Sequence, residues 1–193
     1  MTVRVGMENL IIRLRSMTEA SESDYTLAGV TYWTGEQLQS VLDRHRRDLI
    51  RVPLRSTYES IASESEYHNY YLDDYTDIEE AGSGTPTWLV EDGNGDAVGT
   101  ANYTVNYDAG HFRFTTDTEG AAYYLTTRSF NMNRAAVEVW QKKASHVAKA
   151  YDFKADGAEY DRSQLYKHAM QMAAHYRSLS GLTISRMFRS DAA

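Results

Sequence analysis

Asp92-Gly93-Asn94-Gly95-Asp96 alternates oxygen-bearing side chains with glycine, which is how a calcium loop begins. In such a loop the sixth position is glycine and the twelfth a bidentate acid. Here those positions hold Ala97 and Tyr103, so the stretch reads as a plain β-turn. His168 and His175 lie seven apart on one face of an expected helix. No third ligand accompanies them, so they read as packed or surface histidines, like His45, His68, His111 and His146. There is no Gly-x-Ser-x-Gly, no phosphate loop and no His-Glu-x-x-His. The chain has no cysteine, which removes disulfides and thiolate metal sites. The expectation is a protein that is not an enzyme, with no catalytic residue, no metal and no cofactor.

Two groups of residues are candidates for contact instead of chemistry. Arg44, Arg46, Arg47 and Arg51 cluster around His45, and could face another subunit, phosphate or an acidic partner. Asp43 and Asp48 balance them, which fits a solvated face. Leu182, Ile184, Met187 and Phe188 follow the helix stop Gly181, beside Arg186 and Arg189. Apolar anchors next to arginine have the composition of an interface hot spot.

The elements that must position these groups follow from periodicity. Met7, Leu10, Ile11, Leu14 and Met17 line one face of a short helix. Residues 18–32 are polar and read as a loop. Thr34-Gly35-Glu36-Gln37 matches a capping box and opens a second helix. Leu38, Val41, Leu42, His45 and Leu49 follow on one face, and Pro53 closes it. The period then changes to two. Tyr103, Val105 and Tyr107 alternate with polar residues, as do Phe112 with Phe114 and Tyr123 with Leu125. Tyr67–Tyr75 and Trp88–Val90 add two strands. Beyond Phe130 come two amphipathic helices with short-spaced apolar stripes, Ala136, Trp140, Ala144, Val147 and Tyr151 on the first, Leu165, Ala169, Met172, Tyr176 and Leu179 on the second. Asn131 or Asn133 can cap the first and Asp161 the second.

The expected fold is therefore α+β: a helical bundle with long C-terminal antiparallel helices and an inserted small antiparallel β subdomain. The helical core takes residues 1–56 and 128–193, and the β insertion residues 57–127. Charge follows the same division. Between Ser56 and Gly120 there are 14 acids and one base, while the rest holds 13 acids and 19 bases. No apolar run approaches the ~18 residues of a membrane span, and Met1–Gly6 lacks the apolar block of a signal peptide. A soluble protein made inside a cell is expected.

The order of elements carries a resemblance. Tyr32-Trp33-Thr34-Gly35-Glu36 opens the second helix after a first one rich in Leu and Arg. Asn133-Arg134-Ala135-Ala136, Tyr151-Asp152-Phe153-Lys154-Ala155-Asp156-Gly157, Arg162-Ser163-Gln164 and Arg189-Ser190-Asp191 mark the closing segment. These motifs, over residues 7–51 and 128–191, resemble the head–tail connector proteins of tailed bacteriophages, also called adaptor or head-completion proteins. The resemblance implies a virion subunit at the head–tail junction, made in the host cytoplasm. It implies a homo-oligomeric ring, typically twelve-fold, beneath the portal protein, with a tail or stopper protein below and double-stranded DNA passing through transiently. It also implies that the C-terminal segment docks on the portal. The long acidic insertion departs from the family's smallest members. A different class stays open: a monomeric or dimeric binding module whose tyrosine-rich sheet holds a glycan-like ligand.

Overall fold

The structure, a computed structural model, describes residues 2–22, 24–61, 64–82, 88–150 and 162–181. Its helices are α1 (Glu8–Thr18), α2 (Gly35–Arg44), α3 (Met132–Ala150) and α4 (Arg162–Leu179). Its strands are β1 (Tyr25–Leu27), β2 (Val30–Tyr32), β3 (Arg46–Ile61), β4 (Glu64–Tyr71), β5 (Leu89–Asp92), β6 (Tyr103–Asn106), β7 (His111–Phe114) and β8 (Tyr123–Phe130). Two compact units emerge: Met1–Arg46 with Asn131–Leu182, and Arg47–Phe130.

In the helical unit, α1 buries Leu10, Ile11 and Leu14. The capping box at α2 forms. Thr34 Oγ1 accepts from the Gln37 amide at 3.4 Å, and Gln37 Oε1 accepts from the Thr34 amide at 3.2 Å. Asn131 caps α3, its Oδ1 accepting from the Arg134 amide at 2.9 Å. Trp140 and Ala144 on α3 pack against Ala169 and Ala173 on α4. Residues 134–141 of α3 meet Arg177 and Ser180, so the two helices run in opposite directions. The Trp140 indole donates to the Met17 carbonyl at 3.2 Å, tying α3 to α1. The connection at residues 152–157 and the Asp161 cap lie outside the described residues.

Residues 18–32 are not all loop. β1 and β2 form a hairpin in register Tyr25↔Tyr32 and Leu27↔Val30. Ala28 and Gly29 turn it with φ of 51° and 77°, the pair of positive values that a tight two-residue hairpin turn requires. Three residues per strand are too few to print a period.

In the other unit, six strands form one sheet in the order β5-β8-β3-β4-β7-β6. The ladders β3–β4, β4–β7, β5–β8 and β6–β7 are antiparallel. One face buries Tyr70, Phe112 and Phe114 together with Leu54, Val90 and Leu125. Each such side chain contributes about 1.5–3 kcal/mol of burial.

This corrects the expected fold. The class is α+β, but the chain is not a helical bundle with long C-terminal helices and a small insertion. The six-stranded sheet is the dominant element, and none of the four helices exceeds 19 residues. The error lies at residues 45–56. α2 ends at Arg44, and β3 then runs 16 residues straight through Pro53. Arg51 has φ 49°, a left-handed residue that breaks the alternation. Leu49 is buried, Ile50 and Arg51 are exposed, and Val52 faces partly inward. A spacing of three between inward residues of a strand imitates a helix.

Candidate contact site

The arginine cluster is spread over different elements with different partners. Arg44 is the last residue of α2 and Arg46 the first of β3, so the four do not share one helix face. The Arg47 guanidinium lies over the Tyr75 ring at 4.9 Å, and that of Arg51 over the Tyr124 ring at 4.8 Å. Arg44 turns toward α3 instead. Its Nε donates to Glu138 Oε2 at 3.0 Å, and a terminal nitrogen donates to Oε1.

Glu138 has two further partners. His45 Nε2 lies 3.1 Å from Oε2, and Lys142 Nζ lies 2.9 Å from Oε1, one helical turn along α3. Burial opposes ionisation of Glu138, but the hydrogen bonds and charges of Arg44 and Lys142 outweigh it. They hold the carboxyl at about 2. The carboxylate lines a cleft of about 410 Å³. Val137, Gln141 and Ser180 line the cleft, and Arg134 and Arg177 flank it. Arg134 stands in the first turn of α3 and Arg177 in the last turn of α4; the antiparallel packing brings them to one place.

A second cleft, about 340 Å³, opens beside the β1–β2 hairpin between Tyr25, Leu27, His146 and Val147. Tyr25 hydroxyl and His146 Nδ1 are hydrogen-bonded. Burial pushes the Tyr25 phenol up to about 12, so it keeps its proton. Lys143 closes the rim, donating to the Glu19 carbonyl at 2.9 Å and pairing with Asp24 at 3.2 Å.

The exposed face of α4 is mixed, and three large apolar side chains stand on it among polar ones. Leu165, Tyr166 and Met170 are 58%, 42% and 40% exposed. In the sheet unit, Tyr70 and Tyr103 point into the core, while Tyr71 stacks on His111 across the β4–β7 pair at 4.5 Å. Glu79 is fully buried and faces Arg128, whose terminal nitrogen is 3.5 Å away.

Asp92 does not reach for a cation. Its Oδ1 accepts from the amides of Asn94 and Asp96, both at 2.9 Å, and these bonds lower its pKa. His168 and His175 are exposed on α4. Among the described residues, no three His, Asp or Glu side chains are grouped to hold a metal ion. Nor is any helix there long and apolar enough to cross a membrane. The expected docking tail, Leu182, Ile184, Arg186, Met187, Phe188 and Arg189, lies outside the described residues.

The Glu138 hub and the arginine-flanked cleft were not foreseen from sequence. Arg44 and Glu138 are 94 residues apart, and single charges on two helices print no motif. No family model matches this chain, and no curated protein matches it.

Proposed function

We propose that the chain is a structural subunit that assembles with copies of itself into a ring, and that this ring is the connector between portal and tail of a tailed-phage virion. The observation that carries the reading is the outer face of α4. Leu165, Tyr166 and Met170 stand in water on a helix whose other side is already packed by Ala169 and Ala173. Tyr166 and Met170, one helical turn apart, form an exposed apolar pair with Leu165 nearby on the same helix, and exposed apolar groups can mark protein contact surfaces. A ring needs heterologous contacts that close under rotation, and a rigid helix pair is suited to present them.

Two further points support the reading. The connector-like motifs lie mainly on the helical unit and the C-terminal segment. The stretch 47–130 holds 15 acids and five bases, and a passage that lets DNA slide should not neutralise phosphates. Docking on the portal is assigned to the C-terminal segment from Leu182 to Arg189.

The test is particle mass and electron microscopy of the purified chain, alone and with a candidate portal. The expected result is a closed ring, and L165S/M170S should shift the mass toward single subunits while leaving the melting curve unchanged. Truncation after Ser180 should leave a folded subunit that no longer joins the portal. A chain that stays single at every concentration, with and without portal, would end the proposal.

A further inference from the structure

We infer that the cleft between Arg134 and Arg177 is the receptor for an acidic turn, Asp73-Asp74, of a second copy of this chain; the inference rests on the self-assembly proposed above. The cleft holds more positive charge than its own residues consume. Glu138 is the one acid among the described residues lining it, and Arg44, His45 and Lys142 already occupy that carboxylate. Neither the Arg134 nor the Arg177 guanidinium has a hydrogen bond or ion pair with a described residue. Both are exposed. Two guanidinium forks at one cleft suit two carboxylates, because each fork can hold a carboxylate through paired N–H donors.

The sheet unit supplies such a pair. Asp73 and Asp74 are both exposed. Asp74 has no partner among the described residues, and Asp73 shares a 3.6 Å exposed ion pair with Arg55. The turn that carries them is pinned. The Leu72 amide donates to the Gly110 carbonyl at 2.9 Å, and Leu72 is buried. Gly110 has φ 61°, and a Cβ there would stand 2.5 Å from the Tyr75 carbonyl. The two carboxylates are therefore presented on a fixed support, which lowers the entropy lost on docking. Several other acids of the sheet unit are engaged within it, and the exposed Glu64, Asp96 and Glu119 stand singly instead of as an adjacent pair. Asp92 caps its own turn, Glu66 holds His68 at 2.9 Å, and Asp117 accepts the Tyr67 amide at 2.8 Å.

A donor on one surface and a receptor on another is what a heterologous contact requires. Each copy then offers its acidic turn to one neighbour and its arginine cleft to the next. Nucleic acid is the poorer occupant. A reader of phosphate carries a marked basic excess over its domain, and the unit that holds the cleft, residues 1–46 and 131–182, is close to balance with 11 acids and 13 bases.

Charge reversal tests the pairing by sedimentation of the full chain at low and high salt. R134E/R177E and D73R/D74R should each weaken association about tenfold or more, and the four changes combined in one chain should restore it. Melting curves show whether each variant is folded. A competitor peptide spanning residues 70–80 should dissociate the wild-type assembly; if R134E/R177E does not fold, this arm and R134Q/R177Q decide. A folded R134E/R177E that assembles like wild type overturns the site and leaves self-assembly standing. Failure of the combined variant to recover, or a peptide without effect, also overturns it. If the arginines instead retain a short DNA duplex and do nothing for assembly, the site belongs to nucleic acid and the inference is wrong. A wild-type chain that never associates overturns self-assembly and the site together.

Discussion

Arg44 and Glu138 are joined by a two-point fork between the end of α2 and the second turn of α3, Nε to Oε2 at 3.0 Å and a terminal nitrogen to Oε1. This clamp fixes where two helices far apart in sequence meet. It also makes the helical unit sensitive to acid.

The folded pKa of Glu138, about 2, lies below the usual value of 4.5. Its stabilising contribution is therefore complete above about pH 4.5 and disappears as the pH falls toward 2. Discounted for partial solvent screening, it is worth about 1–2 kcal/mol. Glu138→Gln should lower the melting temperature by a few degrees at neutral pH and make little difference near pH 2. Equal loss at both pH values would show that the carboxylate charge is not what stabilises the contact.

Trp140 is 3% exposed and bonds the Met17 carbonyl. Trp140→Ala should cost about 3–5 kcal/mol through the cavity it opens. Trp140→Phe should cost less, keeping most of the packing while leaving the Met17 carbonyl without its donor. Urea unfolding midpoints of the two variants give the comparison, and an unchanged midpoint for the alanine variant would remove Trp140 from the core.

The pair Glu79–Arg128 lies in the sheet unit with Glu79 wholly buried. Arg128→Met removes a guanidinium from beside a buried carboxylate and should cost about 3–5 kcal/mol. Adding Glu79→Gln should recover a large part of that loss. A double variant no more stable than the single one would mean that the two side chains do not act as a pair.

Gly110→Ala should destabilise the sheet unit by about 2–4 kcal/mol, because the new methyl meets backbone and φ is positive. Hydrogen exchange is the suitable readout. Protection should fall first at Leu72 and the β6–β7 hairpin, and normal protection there would contradict the packing described.

What could be read from sequence depended on how local the signal was. The capping box at Thr34 and Gln37, most of the α3–α4 stripes and the alternation at Tyr103–Val105 are local signals, and each element is present, but Leu165 of the expected α4 stripe is 58% exposed. The end of α2 is not legible because Leu42, His45 and Leu49 keep a helical spacing past Arg44, where the helix stops and β3 begins at Arg46. Pro53 reads as a helix stop, yet it stands at an exposed position within a strand. The cleft was invisible for another reason. Arg134 and Arg177 belong to different helices, and only their packing makes them neighbours.

One backbone bond has a consequence for synthesis. The Asn131 amide donates to the His45 carbonyl at 3.0 Å, so the chain leaves the helical unit and re-enters it at the same spot. During translation α1 and α2 emerge early, yet their main partner α3 arrives only after the whole sheet unit has been made. The sheet unit, with both ends tethered side by side, has its long-range contacts within one continuous stretch and can close first. α1 and α2 must wait with Leu10, Leu14 and Leu38 uncovered. A ribosome-stalled chain ending just before Met132 should thus hold a protected sheet beside two helices that proteases still cut, and a chaperone that shields apolar helix faces would act in that interval.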